Sequence, residues 1–163
     1  MSEATPARPA RRLSPRTRRA VLTAHILISV GLFGEVIAFV AIAARAAGAD
    51  DPAFAADAYD LLAMFQLLFG IPLSFGALAT GLTLGLGSKW GVLRYPWVTI
   101  KLALIVSVIL MGAFLLGPSV DAIRSGDDGV EGRIVAGACW DVVALAIATG
   151  LAVYKPGRAR GRT

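Results

Sequence analysis

The chain has 163 residues, of which 56% are hydrophobic and 17% charged, with a formal net charge of +5 and a mean hydropathy of +0.70. A water-soluble domain of that size needs far more polar surface, so the composition points to lipid and excludes collagen-like, disordered and disulfide-stapled classes. The single cysteine, Cys139, closes no intrachain bridge, and a pI near 10.0 signals a polyanionic partner only if the basic residues are arranged for one.

In chain order, residues 1–19 form a Pro- and Arg-rich stretch with almost nothing to bury, expected to be a disordered tail. Four apolar runs follow, over about 20–44, 61–86, 97–117 and 134–154. Each is long enough to cross a hydrocarbon core of roughly 30 Å at about 1.5 Å per helical residue. The connections carry breakers: Gly48 and Pro52 in the first, Gly87, Gly91 and Pro96 in the second, Gly126, Gly129 and Gly132 in the third. A short basic tail, 155–163, completes the sequence. Buried helices of a soluble core seldom stay apolar on every face for about twenty residues. The first run also has the flanks of a secretory signal, with arginines before it and alanine-rich sequence around Ala41 to Ala47. It is longer than a usual signal core and contains Glu35, so it is read as a retained span. The expected fold is all-α: an integral membrane protein with four helices in an up-down antiparallel bundle over residues 20–154.

Lysine and arginine accumulate on the cytoplasmic side of a membrane. Arg8, Arg11, Arg12, Arg16, Arg18 and Arg19 against Glu3, then Lys89 and Arg94, then Lys155, Arg158, Arg160 and Arg162, place a net +11 on one side. The first connection, with Asp50, Asp51, Asp57 and Asp60 against Arg45, and the third, with Asp121, Asp127, Asp128 and Glu131 against Arg124 and Arg133, place a net −5 on the other. This alternation puts both termini in the cytoplasm of a cell (inner) membrane. Trp90, Tyr95, Trp97 and Tyr154 fall at the same predicted interface. The charge thus encodes orientation, with anionic lipid headgroups as partners of the basic tails and no nucleic acid.

Helices in lipid approach where side chains are small. Gly70, Ser74, Ala77, Gly81 and Gly85 share one face of the second span, and Gly137, Asp141, Ala144 and Ala148 one face of the fourth. Pro72 removes a backbone donor inside the second span, which reads either as a packed kink or as a hinge or opening for a ligand.

Ionisable groups inside spans are the places to look for chemistry. His25 and Lys101 lie roughly 6 to 8 Å below the inner interface at about 1.5 Å per residue. Glu35 and Asp141 fall at comparable depth in the outer half. Two carboxyls at one depth can share a proton or line a small aqueous vestibule. Lys101 can equally snorkel to the interface or pair within the bundle. His25 can hydrogen-bond a neighbouring helix, ligate haem or a metal, or relay protons. One histidine and a distant Cys139 do not make a zinc site, and Met64 and Met111 read as packing before copper or haem ligands, so no metal is assigned. Nucleotide-binding glycine motifs, HExxH and GxSxG are all missing from the sequence.

With His25 in the first span, LGSKWGVLRYPWVTIKL from Leu86 to Leu102 and VYKPGR at Val153 to Arg158, the chain resembles a family of small four-helix actinobacterial membrane proteins of unassigned function. The likeness runs from about Ala20 to Arg158. It is more distantly similar to copper-resistance D-type membrane proteins and to haem-dependent membrane protoporphyrinogen oxidases, which also place a histidine in an early span and a W-x-x-x-K stretch in a later one. That likeness implies His25 as a haem ligand and Lys101 near a propionate or substrate carboxylate. It departs from the oxidases in that Arg45, at the far interface, is the first arginine after the histidine.

The sequence therefore predicts a multi-pass inner-membrane protein acting as an interaction or small-ligand-binding bundle, with no complete catalytic set. The alternatives are a haem-binding or redox protein using His25, or a proton- or cation-coupled carrier using Glu35 and Asp141. A homodimer is open to it and would double His25 into a bis-His pair.

Overall fold

The structure is a computed structural model that describes residues 13–87, 95–127 and 129–154, all-helical apart from short turns. Four helices are long and apolar enough to cross a membrane: α1, Pro15–Ala47; α2, Pro52–Leu86; α3, Pro96–Arg124; and α4, Glu131–Tyr154. Lys89, Trp90, Arg94, the first twelve residues and the basic tail from Lys155 lie outside the described residues.

Three helices begin with proline at the first turn, where a missing N–H leaves no orphan donor. Helix α1 starts inside the stretch expected to be a tail, because Ser14 accepts the Thr17 N–H at 3.1 Å and caps it. Asp51 likewise accepts from the Ala53 N–H at 3.0 Å, so the segment AFAADAYD, expected as a connection, is the opening of α2. Helix α3 runs past Gly117 to Arg124 and ends before Gly126, whose φ of +88° is a conformation open to glycine. The helices thus overrun the apolar runs. Hydropathy marks where a helix is apolar all round and is silent about its amphipathic ends.

Two prolines sit mid-helix, and each is handled the same way. A five-residue π segment, Gln66–Gly70, precedes Pro72 by two residues, and another, Gly112–Leu116, precedes Pro118 by two. Ile71 N–H bonds Gln66 O and Gly117 N–H bonds Gly112 O, each spanning five residues. The wider turn lets the helix continue through a residue that has no N–H to give.

The helices form a closed ring in which α1 packs on α2 and α4, and α3 on α2 and α4. The glycine-rich face of α2 meets α1: His25 lies over Gly81, Ile28 over Gly76, Leu73 over Gly31, and Glu35 over Gly70. Gly137 on α4 receives Leu115, Leu116 and Met111 of α3. Two buried clusters pack inside the ring. One holds Phe39, Tyr59, Leu62, Leu116, Val120 and Ile134 with small residues between them; the other holds Leu32, Val36, Ala77, Val108, Ala144 and Leu145. Outward-facing positions are apolar as well, with Leu27 68% and Phe114 76% exposed.

Candidate functional site

Between the two clusters the ring is not filled. A cavity of about 180 Å³ lies there, walled by Leu32, Val36, Phe39, Val108, Leu116 and Ala138. Its polar side chains are Glu35 from α1, Gln66 and Ser74 from α2, and Asp141 from α4, with Gly112 contributed by α3. The structure therefore brings Glu35 and Asp141 to one cavity, from helices that are far apart in sequence. Ile71, Phe75 and Ala113 also line it and are exposed, so the cavity reaches the outer surface between α2 and α3.

The π segments set this geometry. Gln66 opens the first, and its Nε2 donates to the Gly112 carbonyl, which opens the second, at 2.9 Å. A carbonyl can only accept, so the amide nitrogen of Gln66 faces Gly112 and its carbonyl oxygen is the remaining polar atom. Glycine at 117 admits this crossing, since a Cβ there would stand 3.1 Å from Gln66 Nε2. Gly70 does the same for Glu35, whose Oε1 lies 3.4 Å from where a Cβ would be. Ser74 Oγ donates to the Ile71 carbonyl at 3.0 Å.

Asp141 is 3% exposed, and its Oδ1 is buried with no hydrogen-bond partner among the described residues. A carboxyl oxygen so placed loses its water and gains nothing in exchange, a cost of several kcal/mol for an ion. Placing Glu35 on the same cavity adds repulsion between the two whenever both are charged.

His25 and Lys101 occupy a separate place. His25 Nδ1 is 2.8 Å from Thr80 Oγ1, and Thr80 donates its own hydrogen to the Gly76 carbonyl at 2.6 Å. The threonine oxygen must then accept, so Nδ1 carries the proton and Nε2 is the lone-pair nitrogen of the neutral ring. Lys101 lies within electrostatic range of this ring and has interactions of its own. Neither residue lines the cavity. His25 instead packs against α2, its Cε1 3.3 Å from where a Gly81 Cβ would be. Among the described residues no group of three His, Cys, Asp or Glu side chains is placed to hold a metal ion.

Sequence reasoning passed over Gln66 and Thr80, and read Ser74 only as a small residue of the packing face. Gln66 carried a usable signal, since a lone amide in LLAMFQLLFG is costly in hydrocarbon unless something accepts from it.

Fold and site together define an all-helical protein with four helices of membrane-crossing length around an acidic, mostly apolar cavity. No family model matches the chain, and neither the curated proteins nor the solved structures returned a match.

Proposed function

We propose that this chain is a multi-pass protein of the cell (inner) membrane, an up-down antiparallel bundle with both termini cytoplasmic, that binds a small ligand at the Glu35–Asp141 cavity. The register of α1 on α2 supports the antiparallel part, because His25, Gly31 and Glu35 meet Gly81, Leu73 and Gly70, in descending order. The apolar exterior supports insertion, since a water-soluble protein rarely leaves so continuous an apolar surface bare. The separation of positive and negative connections supports the orientation.

The observation that carries the ligand reading is the convergence of Glu35, Gln66, Ser74 and Asp141 on a cavity that no side chain fills. A bundle needing only stability gains from an apolar residue at position 141; retaining an unpartnered buried carboxyl there is the mark of a site.

Dicyclohexylcarbodiimide, which enters apolar regions and modifies carboxyl groups, tests this in the detergent-purified full chain. The expected result is one adduct by intact mass, mapped to Glu35 or Asp141 and lost in the Glu35→Gln, Asp141→Asn double variant. Modification confined to exposed carboxyls such as Asp57 contradicts the reading.

A further inference from the structure

The polar groups of the cavity have more acceptors than donors to offer a ligand. The Gln66 amide nitrogen is engaged by the Gly112 carbonyl and the Ser74 hydroxyl hydrogen by the Ile71 carbonyl. What remains to face a ligand is the Gln66 carbonyl oxygen with the second hydrogen of its amide, the lone pairs of Ser74 and the two carboxyls, Asp141 Oδ1 among them buried and unpartnered, so acceptors predominate. Among the described residues no lysine, arginine or histidine lines the cavity. A ligand that fits must bring hydrogen-bond donors and positive charge.

It must also bring an apolar body. An apolar cavity of about 150 Å³ accommodates benzene, so one of about 180 Å³ takes a single ring together with a small head group. A metal ion leaves that volume empty, and among the described residues no three acidic, histidine or cysteine groups are clustered to strip its hydration shell. Exposed Ile71, Phe75 and Ala113 at the rim place the opening on the apolar flank of the bundle, where a lipid-soluble molecule arrives from the hydrocarbon.

We propose that the cavity binds a small lipophilic amine as its ammonium ion, the ammonium between Glu35 and Asp141 and the hydrocarbon part against Phe39, Val108 and Leu116. This rests on the ligand-binding reading above and narrows it to one chemical class. The amine N–H donates to a carboxyl oxygen, and the charge offsets the two carboxyls. Burial of one ring contributes the hydrophobic part.

The test is protection of the full-length protein in detergent against carbodiimide, with N,N-dimethylbenzylamine as the probe. This tertiary amine forms no stable amide with an activated carboxyl. Isobutylbenzene is its uncharged counterpart of the same shape, and sodium chloride supplies an inorganic cation. At about ten times its dissociation constant the amine is expected to slow modification of Glu35 and Asp141 about tenfold, with isobutylbenzene and sodium at equal concentration having no effect. Equal protection by isobutylbenzene overturns the ammonium assignment, and equal protection by sodium shows a cation site without an organic body. Modification that no probe slows overturns the amine while leaving the reactive pair in place. A chain in which neither residue is modified loses the underlying site and the amine with it.

Discussion

Gly137 and Asp141 stand one turn apart on α4 and are both buried, for opposite reasons. Gly137 is where α3 comes closest: a Cβ there would lie 2.7 Å from Leu115 Cδ2 and 3.0 Å from Leu116 Cδ2, whereas one on Gly34 of α1 would meet nothing within 4 Å. Gly137→Ala is therefore expected to lower stability by about 1–3 kcal/mol through overpacking. Gly34→Ala is expected to raise it by up to about 1 kcal/mol, through helix propensity alone. Unfolding titrations in mixed micelles check both, and a Gly137→Ala variant as stable as the parent removes the close approach. Asp141 faces the space that this approach leaves unfilled. Its role was legible as an expensive group at one depth with Glu35, but depth alone names no partner; only the ring order of the helices puts the two on one wall.

The mid-helix prolines gain their meaning from the segments before them. Pro72 was visible as a lost donor, read first as a packed kink and second as a hinge or ligand opening. In the structure the π turn that absorbs the proline is also where Gln66 reaches across to Gly112 beside the cavity. Pro118 escaped notice because it lies just past the apolar run ending at Gly117, and hydropathy does not register a helix that continues with Ser119, Val120 and Asp121. Helix existence and the approximate spans could thus be read from apolar length. The helix ends and π turns could not, since caps and i to i+5 bonds depend on local backbone geometry that hydropathy does not encode. Gln66→Leu removes a hydrogen bond between helices inside the bundle and leaves the Gly112 carbonyl only its π-turn bond. It is expected to cost about 0.6–1.7 kcal/mol, measured in the same titrations. Stability unchanged by this substitution argues that the bridge between the two π segments contributes nothing.

At the scale of the whole chain, the net charge of +5 is what remains of +11 and −5 in the tails and connections and −1 from Lys101, Glu35 and Asp141 within the spans, and the proposed orientation assigns the first two sums to opposite sides of the membrane. Beyond the apolar spans, the first part of α2 and the last turns of α3 pack together, and Arg124 Nε bonds Asp60 Oδ1 at 2.6 Å on that exposed flank. An exposed ion pair of this kind contributes little stability, so the flank serves the topology argument more than the energetic one. In a Cys139→Ser background, Asp57→Cys and Ser125→Cys are expected to react with a membrane-impermeant maleimide in intact cells, and Arg16→Cys only after permeabilisation. The reverse pattern inverts the orientation.

Everything proposed about function depends on Glu35 and Asp141 meeting across one cavity within a single chain. Glu35→Cys with Asp141→Cys, again in the Cys139→Ser background, places two thiols on that cavity, while Glu35→Cys with Ile147→Cys directs the second thiol to the exposed side of α4. Treatment with a short bifunctional maleimide, followed by intact mass, is expected to give one linker joining residues 35 and 141 with both thiols consumed, and only single-ended adducts in the 35 and 147 pair. Single-ended adducts in both pairs contradict the shared cavity, and with it the site.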